Sequence, residues 1–125
     1  MSVKKKILIG EDSNIVLSVI RKILENMQYE VKGVKNGQEI LSELKKDSFD
    51  LILMDISMPK MDGLECVKHI RSNENEKIQS IPIIAISGNA KNFSLDQYKE
   101  HGFNDLIQKP IDFDILAKKI VDTFA

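Results

Sequence analysis

Five polar side chains stand where apolar runs of this sequence stop. Glu11 and Asp12 follow "KILIG", Asp55 follows "DLILM", Ser87 closes "IPIIAIS", and Lys109, with Pro110 behind it, follows "NDLIQ". Three carboxylates brought into one crevice repel one another, which raises their pKa values or demands a cation. The donors are all oxygen, with no His or Cys beside them, so a hard ion such as Mg²⁺ that keeps some of its waters is the fitting partner. A carboxylate held against that ion and against the lysine ammonium is also a nucleophile toward a phosphoryl group, because the cations neutralise charge on the equatorial oxygens. Asp55 is the candidate for an aspartyl phosphate. The apolar residues Leu51 to Met54 make a rigid mount for it, and the turn that follows, with Pro59 and Gly63, opens space around the acid. An acid that ends a strand or caps a helix is the plainer reading of any one of these residues, but it does not account for the set.

The elements that must position them alternate between short apolar runs and longer amphipathic segments. Strands are expected at 6–10, 29–34, 50–54, 81–87 and 104–108. Between them, 15–27 places Val16, Ile20, Ile23, Leu24 and Met27 on one helical face, with Asn14 or Ser13 as its cap. Ile40, Leu41 and Leu44 stripe a helix over 36–46, and Leu64, Val67 and Ile70 stripe another that runs to about Ser72. A polar stretch from about 90 to 101 holds a fourth helix, and Asp112 caps a last one carrying Phe113, Leu116, Ile120 and Phe124. Five strand–helix units predict a parallel sheet covered on both faces, because parallel neighbours need a crossover and crossovers are right-handed. The continuous apolar runs of the third and fourth strands agree with burial on both faces. Ligands of such sheets sit outside the carboxyl ends of the strands, where the five polar residues lie.

Composition narrows the function further. The 125 residues, 42% hydrophobic and 30% charged, fit one ordinary soluble domain over 1–125, with no linker or repeat to divide it. A net charge of −1, from 18 basic and 19 acidic residues mixed along the chain, gives no field to hold nucleic acid directly. The triplet Lys4 to Lys6 is a solvated lead-in to the first strand. Cys66 is the single cysteine, which excludes an internal disulfide and a thiolate zinc cluster and points to a reducing compartment, the cytosol. No apolar run approaches the ~18 residues of a membrane span, and "MSVKKKILIG" is too short in apolar residues for a signal peptide.

With these residues in place, the sequence resembles the receiver domains of two-component response regulators over essentially its full length. Glu11 and Asp12 look like the family's acidic pair, Asp55 in "LMDISMPKMDG" like its phosphoacceptor, Ser87 like its conformation-sensing hydroxyl, and Lys109-Pro110 like its lysine and following cis-proline. The resemblance implies a flavodoxin-like five-stranded sheet in the order 2-1-3-4-5. It implies direct Mg²⁺ binding by Asp12, Asp55 and the backbone carbonyl of Ser57, with Glu11 acting through water and Lys109 pairing with phosphoryl oxygens. The implied partners are a sensor histidine kinase or a histidine phosphotransfer protein, and a downstream protein target that reads the surface of the fourth helix, fifth strand and fifth helix. Such a chain is a signalling module, not an enzyme with turnover, and neither nucleic acid nor membrane is a direct partner.

Two positions depart from the family. Glu11 stands where an aspartate is frequent, and Leu106 stands three residues before the lysine, where a Tyr or Phe often accompanies movement of the hydroxyl. Switching is therefore expected through the loop and the fourth helix, without a ring at 106. Ser57 and Asn89 match the two variable places beside the attacking water; neither is a general base, so slow to moderate autodephosphorylation is expected. His69 fits a solvated helix position, His101 beside Gly102 a helix end, Cys66 an inert thiol, and Met54, Met58 and Met61 packing.

Rival readings meet specific obstacles. A flavin phosphate would be repelled by the carboxylates of "EDSN", where a phosphate loop needs hydroxyls and glycines, and a dehalogenase-type phosphatase wants an acid where Ser57 stands. A module that signals by binding alone would normally have lost an acid or the lysine. The opening Met and the stop after the last helix favour a stand-alone regulator, although "PIIAISGNA" and "MDGLECVKHIR" look somewhat like receivers of hybrid kinases.

Overall fold

The strands and helices alternate as the pattern predicts. In the computed structural model, which describes residues 4–88 and 94–125, the order is β1 (Lys6–Gly10), α1 (Asn14–Asn26), β2 (Glu30–Val34), α2 (Gly37–Lys46), β3 (Leu51–Asp55) and α3 (Gly63–Arg71). A single helical turn, Glu76–Gln79, then precedes β4 (Ile83–Ser87), α4 (Leu95–His101), β5 (Asp105–Gln108) and α5 (Phe113–Phe124). All strand pairs are parallel and the sheet order is β2-β1-β3-β4-β5. The order reverses between β1 and β3, so the crevice at the carboxyl ends opens between Glu11–Asp12 and Asp55.

Strand residues alternate between two apolar layers. Leu8, Ile52, Met54, Ile83 and Ala85 pack with Ile40, Leu44, Val67, Ile70 and Tyr98 from α2, α3 and α4. Ile7, Ile9, Leu51, Leu53, Ile84 and Ile86 pack with Leu17, Ile20, Leu24, Leu116 and Ile120 from α1 and α5. Both β3 and β4 are buried along their whole length, which is why they read as continuous apolar runs.

The ends of the elements follow local chemistry. Ser13, not Asn14, caps α1 by accepting from the Val16 N–H, and Asp112 caps α5 by accepting from the N–H groups of Asp114 and Ile115. β4 starts after the expected 81 because Pro82 has no N–H for the ladder, although its carbonyl accepts from the Ile52 N–H at 3.0 Å. The fourth helix is described from Leu95, with Ser94 and Gln97 forming a capping box; residues 89–93 lie outside the described residues. It ends at His101, and Gly102 takes the left-handed φ of 116° that closes a helix. Arg71, at the end of α3, clasps this corner, donating to the carbonyl of Gly102 at 2.9 Å, to that of Gln79 at 2.6 Å, and to Asn104 Oδ1 at 3.0 Å.

Candidate functional site

Asp55 is the last residue of β3 and only 1% exposed. Its Oδ2 accepts from Lys109 Nζ at 2.8 Å, and its Oδ1 accepts from the backbone N–H of Ser57 at 3.0 Å. Glu11, directly after β1, is tied by its own N–H to the Val34 carbonyl at 2.9 Å and is as buried as Asp55. Asp12 beside it is exposed. Carboxylate oxygens of Glu11, Asp12 and Asp55 all lie within 4.8 Å of one another. The three acids singled out from sequence therefore do meet, with Lys109 against them.

The electrostatics of the cluster are unbalanced. Burial pushes the Glu11 carboxyl up to about 8, helped by a proton shared with Asp55 and by the charges of Asp55 and Asp12, while Lys109 pulls it back. For Lys109, burial works against the ammonium, but the hydrogen bond to Asp55 and the nearby acids outweigh it and the net shift is upward. Among the described residues, Glu11 Oε2 is buried without a hydrogen-bond partner. An orphaned oxygen beside two further carboxylates, with oxygen the only donor type, fits a hard divalent cation.

The turn after β3 is shaped by close contacts. The Gly63 N–H donates to the Ile56 carbonyl at 2.9 Å, Met61 N–H to the Pro59 carbonyl at 2.7 Å, and Lys60 holds a φ of 65°. A Cβ on Gly63 would come within 2.9 Å of Ile56 Cα and 3.1 Å of the Asp55 carbonyl oxygen. Gly63→Ala is therefore expected to cost about 1–3 kcal/mol, the usual range for overpacking a tight site, measured by urea unfolding; an unchanged midpoint would mean the turn has slack.

Ser87 and Lys109 are joined by their backbones, the Lys109 N–H donating to the Ser87 carbonyl at 2.9 Å, and the Lys109–Pro110 peptide is cis as the resemblance implies. Ser87 is 2% exposed and its Oγ accepts from the Tyr98 hydroxyl at 2.9 Å. Tyr98 is a residue the sequence pattern does not single out. Its signal is faint, one aromatic in a polar helix. Leu106 is half-buried in the same apolar layer as Tyr98. Ser57 is exposed two residues beyond Asp55, and Asn89 lies outside the described residues.

The remaining conspicuous residues pack or face solvent. Cys66 is fully buried, and burial pushes its thiol up to about 12, far from reactive. His69 is exposed on α3, while Met54 and Met58 are buried and Met61 packs beside them. Lys6 pairs with Asp47 and lies over the Phe49 ring, 5.3 Å from its centre. Among the described residues no helix is long and apolar enough to cross a membrane.

Comparison with known proteins agrees with this geometry. The family model for the response regulator receiver domain matches residues 7–121. The chain belongs to the response regulator receiver family. Among curated members, the receiver is 36% identical over 117 residues to the CAI-1 autoinducer sensor kinase/phosphatase CqsS of Vibrio cholerae, covering 94% of this chain and 17% of that protein. The chain thus spans a small part of that relative's length. Among solved receivers, the chemotaxis response regulator CheY4 of Vibrio cholerae superposes with a TM-score of 0.87 at 26% identity, over 97% of this chain and 99% of that one. The receiver domain of the sensor histidine kinase PA1611 from Pseudomonas aeruginosa, with a magnesium ion coordinated in its active-site cleft, gives 0.82 at 29% identity over 93% of both chains.

Proposed function

We propose that this receiver takes a phosphoryl group onto Asp55 from the phosphohistidine of a sensor histidine kinase or a histidine phosphotransfer protein. The observation that carries the reading is the cluster itself: three carboxylates within 4.8 Å of one another, with Lys109 Nζ 2.8 Å from Asp55. Asp12, Asp55 and the Ser57 carbonyl would hold Mg²⁺ directly, with Glu11 acting through a water. The magnesium in the PA1611 receiver and the buried, unpartnered Glu11 oxygen support that assignment. When bound, the ion supplies charge neutralisation for the incoming phosphoryl oxygens. A carboxylate oxygen of Asp55 forms the new O–P bond as the donor's N–P bond breaks, and the donor imidazole nitrogen keeps the electron pair. Lys109 places a second positive charge beside that oxygen, and the Ser57 N–H fixes the orientation of the carboxylate.

The role is signalling in the cytoplasm, with slow self-dephosphorylation and no substrate turnover. The whole of 1–125 acts as one receiver, and its site residues are Asp55, Lys109, Ser87, Glu11, Asp12 and Ser57. The near-neutral charge supports a downstream protein target rather than nucleic acid or membrane. The readout surface is α4, β5 and α5, where Leu95 and Ile115 are 39% and 50% exposed on either side of β5.

Intact mass after incubation with acetyl phosphate tests the reading. One phosphoryl adduct is expected with Mg²⁺ and none with excess EDTA. No adduct with Mg²⁺, under conditions that label an active receiver, would sink phosphotransfer and leave a module that works by binding alone.

A further inference from the structure

We propose that the hydrogen bond between Tyr98 and Ser87 is a latch through which this chain couples α4 to the state of Asp55: closed while Asp55 is unmodified, open once Ser87 turns to a phosphoryl oxygen. The inference rests on the phosphoacceptor reading above. Both residues are buried, at 1% and 2% exposure, and their hydroxyls are 2.9 Å apart, so they form a defined contact between a helix and a strand end. The phenol cannot follow a moving serine freely. Its ring lies edge-on to Phe103, with 5.9 Å between centres and planes at 70°, and both rings are part of the β3–β4 apolar layer. Ser87 reaches a new acceptor by hopping between staggered χ1 wells, which carries Oγ out of line with a phenol fixed in this way. The bond and the new contact therefore compete, and whatever favours one position of Ser87 favours one position of Tyr98. Leu106, with no ring and no hydroxyl, cannot make such a bond; Tyr98 brings both from the neighbouring helix.

Tyr98→Phe keeps the ring and removes only the hydroxyl. Releasing the latch stabilises the unmodified state less, so the variant is expected to bind beryllofluoride with Mg²⁺ roughly two- to tenfold tighter than wild type, the range of one net hydrogen bond. In a Ser87→Ala background the same substitution should have no such effect, a non-additivity that a purely packing role would not produce. Unchanged or weaker binding by Tyr98→Phe would overturn the latch, provided that wild type binds the analogue. If wild type fails to bind it and also takes no phosphoryl group from acetyl phosphate, the phosphoacceptor reading falls and the latch with it. A spectroscopic readout is also at hand, because the chain has no Trp and two Tyr. With Tyr29→Phe, Tyr98 is the sole phenol, and its emission should change on adding beryllofluoride; a silent signal counts against the latch.

Discussion

Asp55→Asn is expected to abolish phosphoryl uptake from acetyl phosphate, and Lys109→Ala to slow it by roughly 10²- to 10³-fold, the loss usual when one preorganised charge-stabilising group is removed. The two variants fail for different reasons. Asparagine keeps the shape of the side chain and can still accept from the Ser57 N–H, but an amide has neither the nucleophilic oxygen nor the charge that holds a cation. Alanine at 109 leaves the nucleophile intact and removes the ammonium 2.8 Å from it. It also removes a nearby charge that draws the Glu11 carboxyl downward, so Glu11 should hold its proton to still higher pH. Time-resolved intact mass separates the cases. An adduct on Asp55→Asn would place the phosphoryl group elsewhere, and a Lys109→Ala rate near that of wild type would remove the lysine from the transfer step.

The second large effect is on stability. Glu11 holds its proton to about pH 8 in the folded domain, against an ordinary value of 4.5. Between those limits the folded state binds a proton that the unfolded chain has released, so the contribution of Glu11 to stability is full below about 4.5 and is lost as pH rises toward 8. A proton held one pH unit further than in the unfolded chain corresponds to about 1.4 kcal/mol. With solvent reaching the cluster past the exposed Asp12 and screening its charges, the loss is on the order of a few kcal/mol for the metal-free domain. Mg²⁺ opposes the trend, because an ionised Glu11 strengthens its hold on the cation. Thermal melts from about pH 5 to about pH 8 should show the decline without metal and a flatter profile with it. Glu11→Gln, neutral throughout, should flatten the metal-free profile as well. A metal-free profile already flat in wild type would show that the cluster relaxes enough to keep Glu11 ionised.

Much of this was legible in the sequence, because burial on both faces leaves a strong trace. Four apolar runs, each ended by polar residues, set out β1, β3, β4 and β5 and, at their ends, Glu11, Asp12, Asp55, Ser87 and Lys109, while β2 showed only as the alternation of 29–34. What stayed hidden depended on tertiary contacts or on very local chemistry. The turn Glu76–Gln79 has no buried residue and is organised by Asn75 accepting from Lys77 and Ile78, so it has no apolar period to detect. In α1 the pattern favours Val16, yet Leu17 is the residue buried in the core, over Gly33 of β2, where the missing side chain leaves space. Tyr98 is the largest omission. Its partner is eleven residues away in the chain, and neither helical period nor strand alternation encodes a hydroxyl meeting a hydroxyl.

The Arg71 clasp makes α4 a lever with its fulcrum at one end. Gly102 is held from below by the guanidinium on its carbonyl and by the Arg71 stem, so close that a Cβ on the glycine would meet Arg71 Cγ at 2.9 Å. Asn104, gripped by the same arginine, also accepts from the Ile83 N–H, which anchors the corner to the sheet. A helix fastened in this way pivots rather than slides. With the proposed latch open, a small push at Tyr98, one turn from the fulcrum, would be magnified toward Leu95, the exposed apolar end of α4, and least felt at His101.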